Sequence, residues 1–228
     1  MEQRRHDYLW FCSQLKAVRQ DCTVQRIKNS FAIDVYETHA KIALEESDLN
    51  EYNQSQTQLK ELYEMSANSG VLENVNEFLA YRILYYVFLS TTDSMGAGSG
   101  IFKILLSLSP DQTRDPAISH ACKVREAVAV GDYLAFFRLH KDVPNLGKYL
   151  MDRIAPTMRY RALQRMAKAY RPSVDLSFCL QNLGFVESSS VAGKEWLTSC
   201  GGIIEGTEFM TKDSVIHEPK TDTKNSLI

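Results

Sequence analysis

The 228-residue sequence is poor in helix breakers. It holds 11 Gly and 6 Pro, about two-thirds of the share of roughly 12% found in average globular chains, which points to long helices. It lacks a charge excess, since 26 Lys and Arg stand against 28 Asp and Glu for a net charge of −2. That balance excludes a strongly basic nucleic-acid coat protein, though not a local basic face. Long apolar runs are missing too. The longest, Ile83 to Leu89, is far short of the roughly 20 residues that span a bilayer. No apolar segment follows the polar start Met1-Glu2-Gln3-Arg4-Arg5-His6-Asp7, so neither a membrane anchor nor a secretion signal is expected. The five cysteines (Cys12, Cys22, Cys122, Cys179 and Cys200) are odd in number and scattered, with no CxxC pair. Such usage fits reduced thiols of the cytosol or nucleus. What remains is 44% hydrophobic, 24% charged and 10% aromatic, ordinary for a soluble globular protein and too apolar for a disordered one.

To about residue 150 the spacing is helical. Leu9, Phe11, Cys12, Leu15 and Val18 recur with charges between them, and Val24, Ile27, Phe31, Val35, Ala40, Ile42 and Leu44 continue the pattern. Tyr52, Leu59, Leu62 and Tyr63 follow. Glu77 to Leu89 then forms a helix with Phe78, Tyr81, Tyr85 and Phe88 in one stripe and Leu79, Ile83 and Tyr86 in another. A helix apolar on two sides is covered on two sides, so these rings are expected in the core rather than stacked on bases.

A faint repeat links Ala43 to Tyr52 with Ala127 to Phe136. The shared frame is Ala, four residues, Asp, an apolar residue, two residues and an aromatic. Its physical content is a helix end, a tight turn, an Asp that caps the next helix and an aromatic that pins it. The offset of 84 residues, twice 42, is near the length of helical-pair repeats, and suggests a right-handed stack of the tetratricopeptide kind. Ser94 to Gly100 is the one Gly-rich stretch. It lacks the third Gly of a dinucleotide fingerprint, the position being Ile101, and the Gly-Lys-Ser/Thr of a phosphate loop, so a flexible inter-helix loop is expected.

After residue 150 the character changes. Pro156 suits the first turn of a helix running to about Tyr170, which Arg171-Pro172 stops. Ser173 can cap a second helix with Asp175 in its first turn, closing at Gly184. A third holds Trp196 and Leu197 and ends at Cys200-Gly201-Gly202. Gly202 to Thr211 reads as two short strands around a Gly-containing turn. Helix, helix, helix, hairpin is the order of a winged helix. The reading is therefore a mainly α fold: a helical repeat over 1–150, a winged helix over 151–212 and a disordered tail over 213–228.

No catalytic or metal constellation is legible along the chain. The histidines His6, His39, His120, His140 and His217 are never spaced i, i+4 or in an HExxH frame, and no Gly-x-Ser-x-Gly elbow occurs. The expectation is a protein without catalytic residue, cofactor, metal or small-molecule substrate. The clearest charge feature lies between Met151 and Pro172, where Arg153, Arg159, Arg161, Arg165, Lys168 and Arg171 face the single acid Asp152. Arg161, Arg165 and Lys168 share a helix face, opposite Leu163, Met166 and Tyr170. With Arg171 they are the candidate nucleic-acid-binding residues. A phosphate-binding stripe and a solvated or protein-paired face both fit this charge density. Arg159 falls on the apolar side and is expected to meet a buried acid or carbonyl. The second helix offers Ser173, Asp175, Ser177, Gln181 and Asn182 but no Lys or Arg, so any nucleic-acid contact would be to backbone and weakly selective.

Several blocks carry a family resemblance. They are Leu15 to Arg26 with its Arg19-Gln20-Asp21 centre, Val35 to Ala40, Glu51-Tyr52-Asn53-Gln54 with Gln58-Leu59-Lys60, Glu77 to Tyr85, Phe136 to Leu139, Met158 to Ala162, and Leu183-Gly184-Phe185. Over about residues 8 to 211 the chain resembles the SAC/GANP homology family of PCI-type scaffolds, in its leukocyte receptor cluster member 8-like branch. The resemblance implies a nuclear, non-enzymatic scaffold in transcription elongation, mRNA processing or mRNA export. It also implies a PCI-domain partner set winged helix beside winged helix, a small acidic subunit shared with the proteasome lid, and contact with RNA or DNA backbone. Relatives carry a long low-complexity region and a further segment before the Arg-Gln-Asp helix. This chain starts at that helix, as a minimal or shortened form would, and without pore-anchoring segments direct pore tethering is not expected.

Overall fold

The computed structural model describes residues 2–66, 73–92, 97–185 and 190–219. The elements are α1 (Glu2–Val24), α2 (Ser30–Glu45), α3 (Leu49–Ser66), α4 (Val75–Thr91), α5 (Ala97–Ser107), α6 (Pro110–Arg114), α7 (Pro116–Val130), α8 (Tyr133–Leu139) and α9 (Gly147–Ala169), then β1 (Val174–Asp175), α10 (Leu176–Asn182), α11 (Ser190–Ser199), β2 (Ile204–Glu205) and β3 (Glu208–Phe209). The protein is mainly helical. Among the described residues no helix is long and apolar enough to cross a membrane. The chain packs as two units. The first takes in residues up to Cys122 together with Val143–Arg153, and the second Lys123–Asp142 together with the chain from Ile154 onward.

In the first unit successive helices pack on one another, α1 on α2, α2 on α3, α3 on α4 and α4 on α5. Its core holds Ala32, Leu44, Tyr52, Leu59, Phe78, Tyr81 and Ile83, all buried. On α4, Phe78, Tyr81, Ile83 and Tyr85 are buried, while Leu79, Tyr86 and Phe88 are half-buried. Phe78 and Tyr81 meet edge to face with centroids 5.6 Å apart, as do Tyr52 and Tyr85. The stretch expected to be a loop is helical from residue 97 onward, and residues 94–96 lie outside the described residues. Gly100 explains the difference, because a Cβ there would meet the Tyr86 ring. The missing side chain lets α5 approach α4 closely. On α1, Cys12, Leu15 and Val18 turn inward, whereas Leu9 and Phe11 are exposed. Positions 9 and 11 stand on opposite sides of a helix and could not share a face.

The second unit is built on Ala162, Leu163, Met166, Leu176, Cys179, Leu180, Leu183, Leu197 and Phe209. Phe209 sits on the middle strand of a three-stranded antiparallel sheet of order β1-β3-β2, opposite Val174 on one side and Ile204 on the other. The β2–β3 hairpin turns at Gly206, whose φ is +58°. β1 was not legible beforehand, since a two-residue strand leaves no alternation to read. Three local expectations change. α9 begins at Gly147 and Pro156 lies inside it. An interior Pro removes one helical hydrogen bond, but the buried Leu150, Met151, Ile154, Met158 and Ala162 flanking it hold the helix on course. The cap of α10 is Asp175, which accepts from the Phe178 N–H at 2.7 Å, while the Ser173 hydroxyl bonds the Glu208 carboxylate. The polar segment from 213 starts out anchored. Ser214 Oγ accepts from the Ile203 N–H at 2.8 Å, the His217 N–H donates to the Cys200 carbonyl at 3.0 Å, and Ile216 packs on the core. Residues 220–228 of the expected tail lie outside the described residues.

The two copies of the sequence repeat adopt the same turn, one in each unit. Ser47 (φ +60°) and Gly131 (φ +71°) are both left-handed. The Asp48 N–H donates to the Ala43 carbonyl, and the Asp132 N–H to the Ala127 carbonyl, each at 2.8 Å. Each Asp then caps the next helix, Asp48 accepting from the Glu51 N–H at 3.0 Å and Asp132 from the Ala135 N–H at 2.9 Å. The repeat's aromatics, Tyr52 and Phe136, are fully buried. At the end of α10, Gly184 (φ +78°) closes the helix as expected, and a Cβ there would strike the Phe137 ring. Asp132→Ala is expected to lower stability by about 1 kcal/mol through the lost cap. Gly184→Ala should cost more, above about 1 kcal/mol, because backbone strain and collision with Phe137 act together. Urea unfolding monitored by far-UV circular dichroism checks both magnitudes and their order.

Candidate functional site

The basic stripe lies on the solvent side of α9. Arg161, Arg165, Lys168 and, beyond the helix end, Arg171 are all exposed, while Leu163 and Met166 face the core as expected. Tyr170, expected on the core side, is 38% exposed and meets Phe178 edge to face. The four cations are not equivalent. Arg165 Nη1 donates to the Gly131 carbonyl, and its guanidinium lies where a Cβ on Gly131 would be. It therefore clamps the α7–α8 turn. Among the described residues, Arg161, Lys168 and Arg171 make no pair with a carboxylate. Arg159 turns inward, as its position required. Its Nε donates to the Leu183 carbonyl at 2.9 Å, and its guanidinium lies 4.4 Å from the Phe185 ring centroid with Phe137 and Trp196 also near. A buried-side guanidinium satisfied by a carbonyl and three ring faces is a packing element.

The rest of the second unit is less basic. α10 and β1 carry Asp175 and no cation, the hairpin carries Glu205 and Glu208, and Lys194 is the one basic residue of α11. Unbonded positive charge on this unit's sheet side is thus scarce, and the arrangement suits contact with a phosphate backbone along α9 rather than reading of base edges.

In the first unit three of the blocks that carry the resemblance converge. Arg19 on α1 is buried, and it donates to the Glu51 carboxylate and, at 2.9 Å, to Ser55 Oγ, both on α3. His39 on α2 is fully buried, with Nε2 3.8 Å from Glu51 Oε1 and 3.5 Å from Cys12 Sγ on α1. Lys16 Nζ stands 4.0 Å from Glu51 Oε2. Burial, with the Arg19 guanidinium adding to it, pulls His39 down to about 4, so the ring is neutral at physiological pH. Burial pushes the Cys12 thiol up. A second buried carboxylate, Glu37, accepts from Tyr63 and from Asn74, each at 2.6 Å.

No metal-ligand or catalytic spacing along the chain reveals this cluster, because its members come from three helices. One signal was available. Arg19 lies in the stripe of Leu15, Val18 and Cys22, and a charge inside an apolar stripe must find a partner in the core. Glu51→Gln leaves the Arg19 charge buried and uncompensated and is expected to cost about 3–5 kcal/mol, whereas Arg19→Met combined with Glu51→Met should recover most of that loss. Denaturant midpoints of the two variants decide it. Equal losses would show that the pair is not the source.

Comparison with known proteins places these features in one family. The model of the SAC3/GANP family matches residues 2–194. A THP3 homolog of Schizosaccharomyces pombe is 39% identical over 225 residues, covering 97% of this chain and 54% of the relative. A leukocyte receptor cluster member 8 homolog of Xenopus laevis is 41% identical over 79% of this chain and 21% of its own length. A SAC3 family protein A of Arabidopsis thaliana is 41% identical over 83% of this chain and 18% of its own length. The chain thus spans about half the length of the first of these relatives and about a fifth of the other two.

Proposed function

Because the chain belongs to the SAC3/GANP family, we propose that it is a non-catalytic scaffold subunit of nuclear mRNA metabolism, acting in transcription-coupled processing or mRNA export. In this reading the helix pairs of the first unit form a tetratricopeptide-like stack of the PCI type. The second unit is a winged helix that stands beside that of a PCI-domain partner, with the small acidic subunit shared with the proteasome lid completing the assembly. The stack is supported by the serial packing of α1 to α5. The winged helix is supported by the order α9-β1-α10-α11-β2-β3 and by the sheet order β1-β3-β2.

The observation that carries the nucleic-acid part is the set of exposed, carboxylate-free cations Arg161, Lys168 and Arg171 on and just past α9. Solvated cations without an internal partner can release counterions from a phosphate backbone at little structural cost. Base selectivity is weak in this reading, because α10 has no basic residue and α11 has only Lys194. A second reading, a protein-only subunit of a proteasome-lid or initiation-factor-like PCI assembly, draws on the acidic hairpin residues Glu205 and Glu208.

Single-stranded RNA binding, measured against salt for the full chain with its co-purified partner, separates the two. Reversing Arg161, Lys168 and Arg171 to Glu should weaken binding and reduce the log–log salt slope by about 0.7 per lost phosphate contact. Binding and slope that stay unchanged would remove the nucleic-acid role. Recovery of lid or initiation-factor subunits in the same pull-down would then support the protein-only reading.

A further inference from the structure

We infer that Cys12, His39 and Glu51 form a binding site for a thiophilic divalent cation of the Zn²⁺ type, which joins α1, α2 and α3. The donor atoms Cys12 Sγ, His39 Nε2 and a Glu51 carboxylate oxygen all lie within 4.8 Å of one another. Two of the separations are 3.5 Å for sulfur to nitrogen and 3.8 Å for nitrogen to oxygen. Zinc bonds of about 2.3 Å to sulfur and about 2.0–2.2 Å to nitrogen and oxygen, at tetrahedral angles, place such donors about 3.3–3.6 Å apart. Two of the three pairs stand near that spacing, and each donor stands on a different helix of a packed unit.

The chemistry of the set chooses the ion. Thiolate with imidazole favours zinc over calcium or magnesium, which take oxygen donors. Binding breaks the Cys12 S–H bond, releases its proton to solvent and forms the metal–sulfur bond, with no change of oxidation state. Thiolate and Glu51 carboxylate then set two negative charges against those of the ion and of the Arg19 guanidinium. Among the described residues His39 Nδ1 has neither a donor nor an acceptor bonded to it, so the ring proton is free to sit on Nδ1 and leave the lone pair on Nε2, the nitrogen turned toward Cys12. Arg19 donates to the Glu51 carboxylate and so acts as the outer partner that orients a metal ligand. Three protein donors leave a fourth position on the half-exposed side of Cys12, where water can complete the tetrahedron.

The full chain, stripped with chelator and reloaded with Zn²⁺ or Co²⁺, tests the site. One zinc should stay with each chain through gel filtration, and the cobalt form should show a thiolate charge-transfer band in the near ultraviolet with tetrahedral bands in the visible. Cys12→Ser is nearly isosteric and leaves the Arg19–Glu51 pair in place. It should abolish the thiolate band and weaken zinc binding by at least the 10–100-fold that loss of a mere supporting residue causes. Cys122→Ser, a half-exposed cysteine elsewhere on the chain, should change neither. A cobalt form without the thiolate band, or zinc held equally by the Cys12→Ser chain, means an adventitious ion only and overturns the assignment.

Discussion

A guanidinium buried on α1 sets the terms for the first unit. Arg19 cannot leave water without a carboxylate and further acceptors, and Glu51 and Ser55 of α3 provide them against α1. Apolar side chains tolerate sliding by a turn, whereas a charge pair with defined donors does not. Once α1 is keyed to α3, His39 of α2 is enclosed beside the pair and kept neutral by burial and by the same guanidinium. The cluster that joins three helices is therefore a consequence of one charged residue placed in an apolar stripe.

The second unit depends on a different kind of constraint, the left-handed backbone at helix ends. Gly131 turns the chain from α7 into α8 and offers its carbonyl to Arg165, with no Cβ to block the guanidinium. Gly184 ends α10 and lets Phe137 lie against bare backbone. Arg159 then reaches the Leu183 carbonyl and the surrounding rings. Through these contacts α8, α9 and α10 share one core, and the side of α9 turned away from it is left to Arg161 and Lys168. The basic face is thus what remains of a cationic helix after its structural cations have been used.

This partition bears on the functional reading. Of the six basic residues between Met151 and Pro172, Arg159 and Arg165 are tied to backbone carbonyls of their own unit, and Arg161, Lys168 and Arg171, like Arg153 earlier on α9, are free of carboxylates among the described residues. A scaffold that touches phosphates needs cations that fold stability does not require, and these three meet that condition. The hairpin of the same unit carries the acids Glu205 and Glu208.

Much of this was legible from residue order, because it depends on neighbours in the chain. Helical spacing, the burial of Phe78, Tyr81 and Tyr85 on α4, the Asp-capped turns at Ser47-Asp48 and Gly131-Asp132, the closure at Gly184, the hairpin at Gly206 and the outward stripe on α9 all follow from local geometry over a few residues. Where long-range packing competes with local preference, the local reading failed. Pro156 sits inside a helix that its buried flanks sustain, Gly100 is helical where α5 lies close on Tyr86, and the chain beyond residue 213 is held by Cys200 and Ile203. The sequence by itself determined a mainly helical protein of the SAC/GANP type with a local basic face. Only the tertiary structure decided that Cys12, His39 and Glu51 meet, that Arg19 and Arg165 are committed to partners, and that, among the described residues, Arg161, Lys168 and Arg171 make no carboxylate pair. Such pairings join residues tens of positions apart, and only the packing of whole helices brings them within bonding distance.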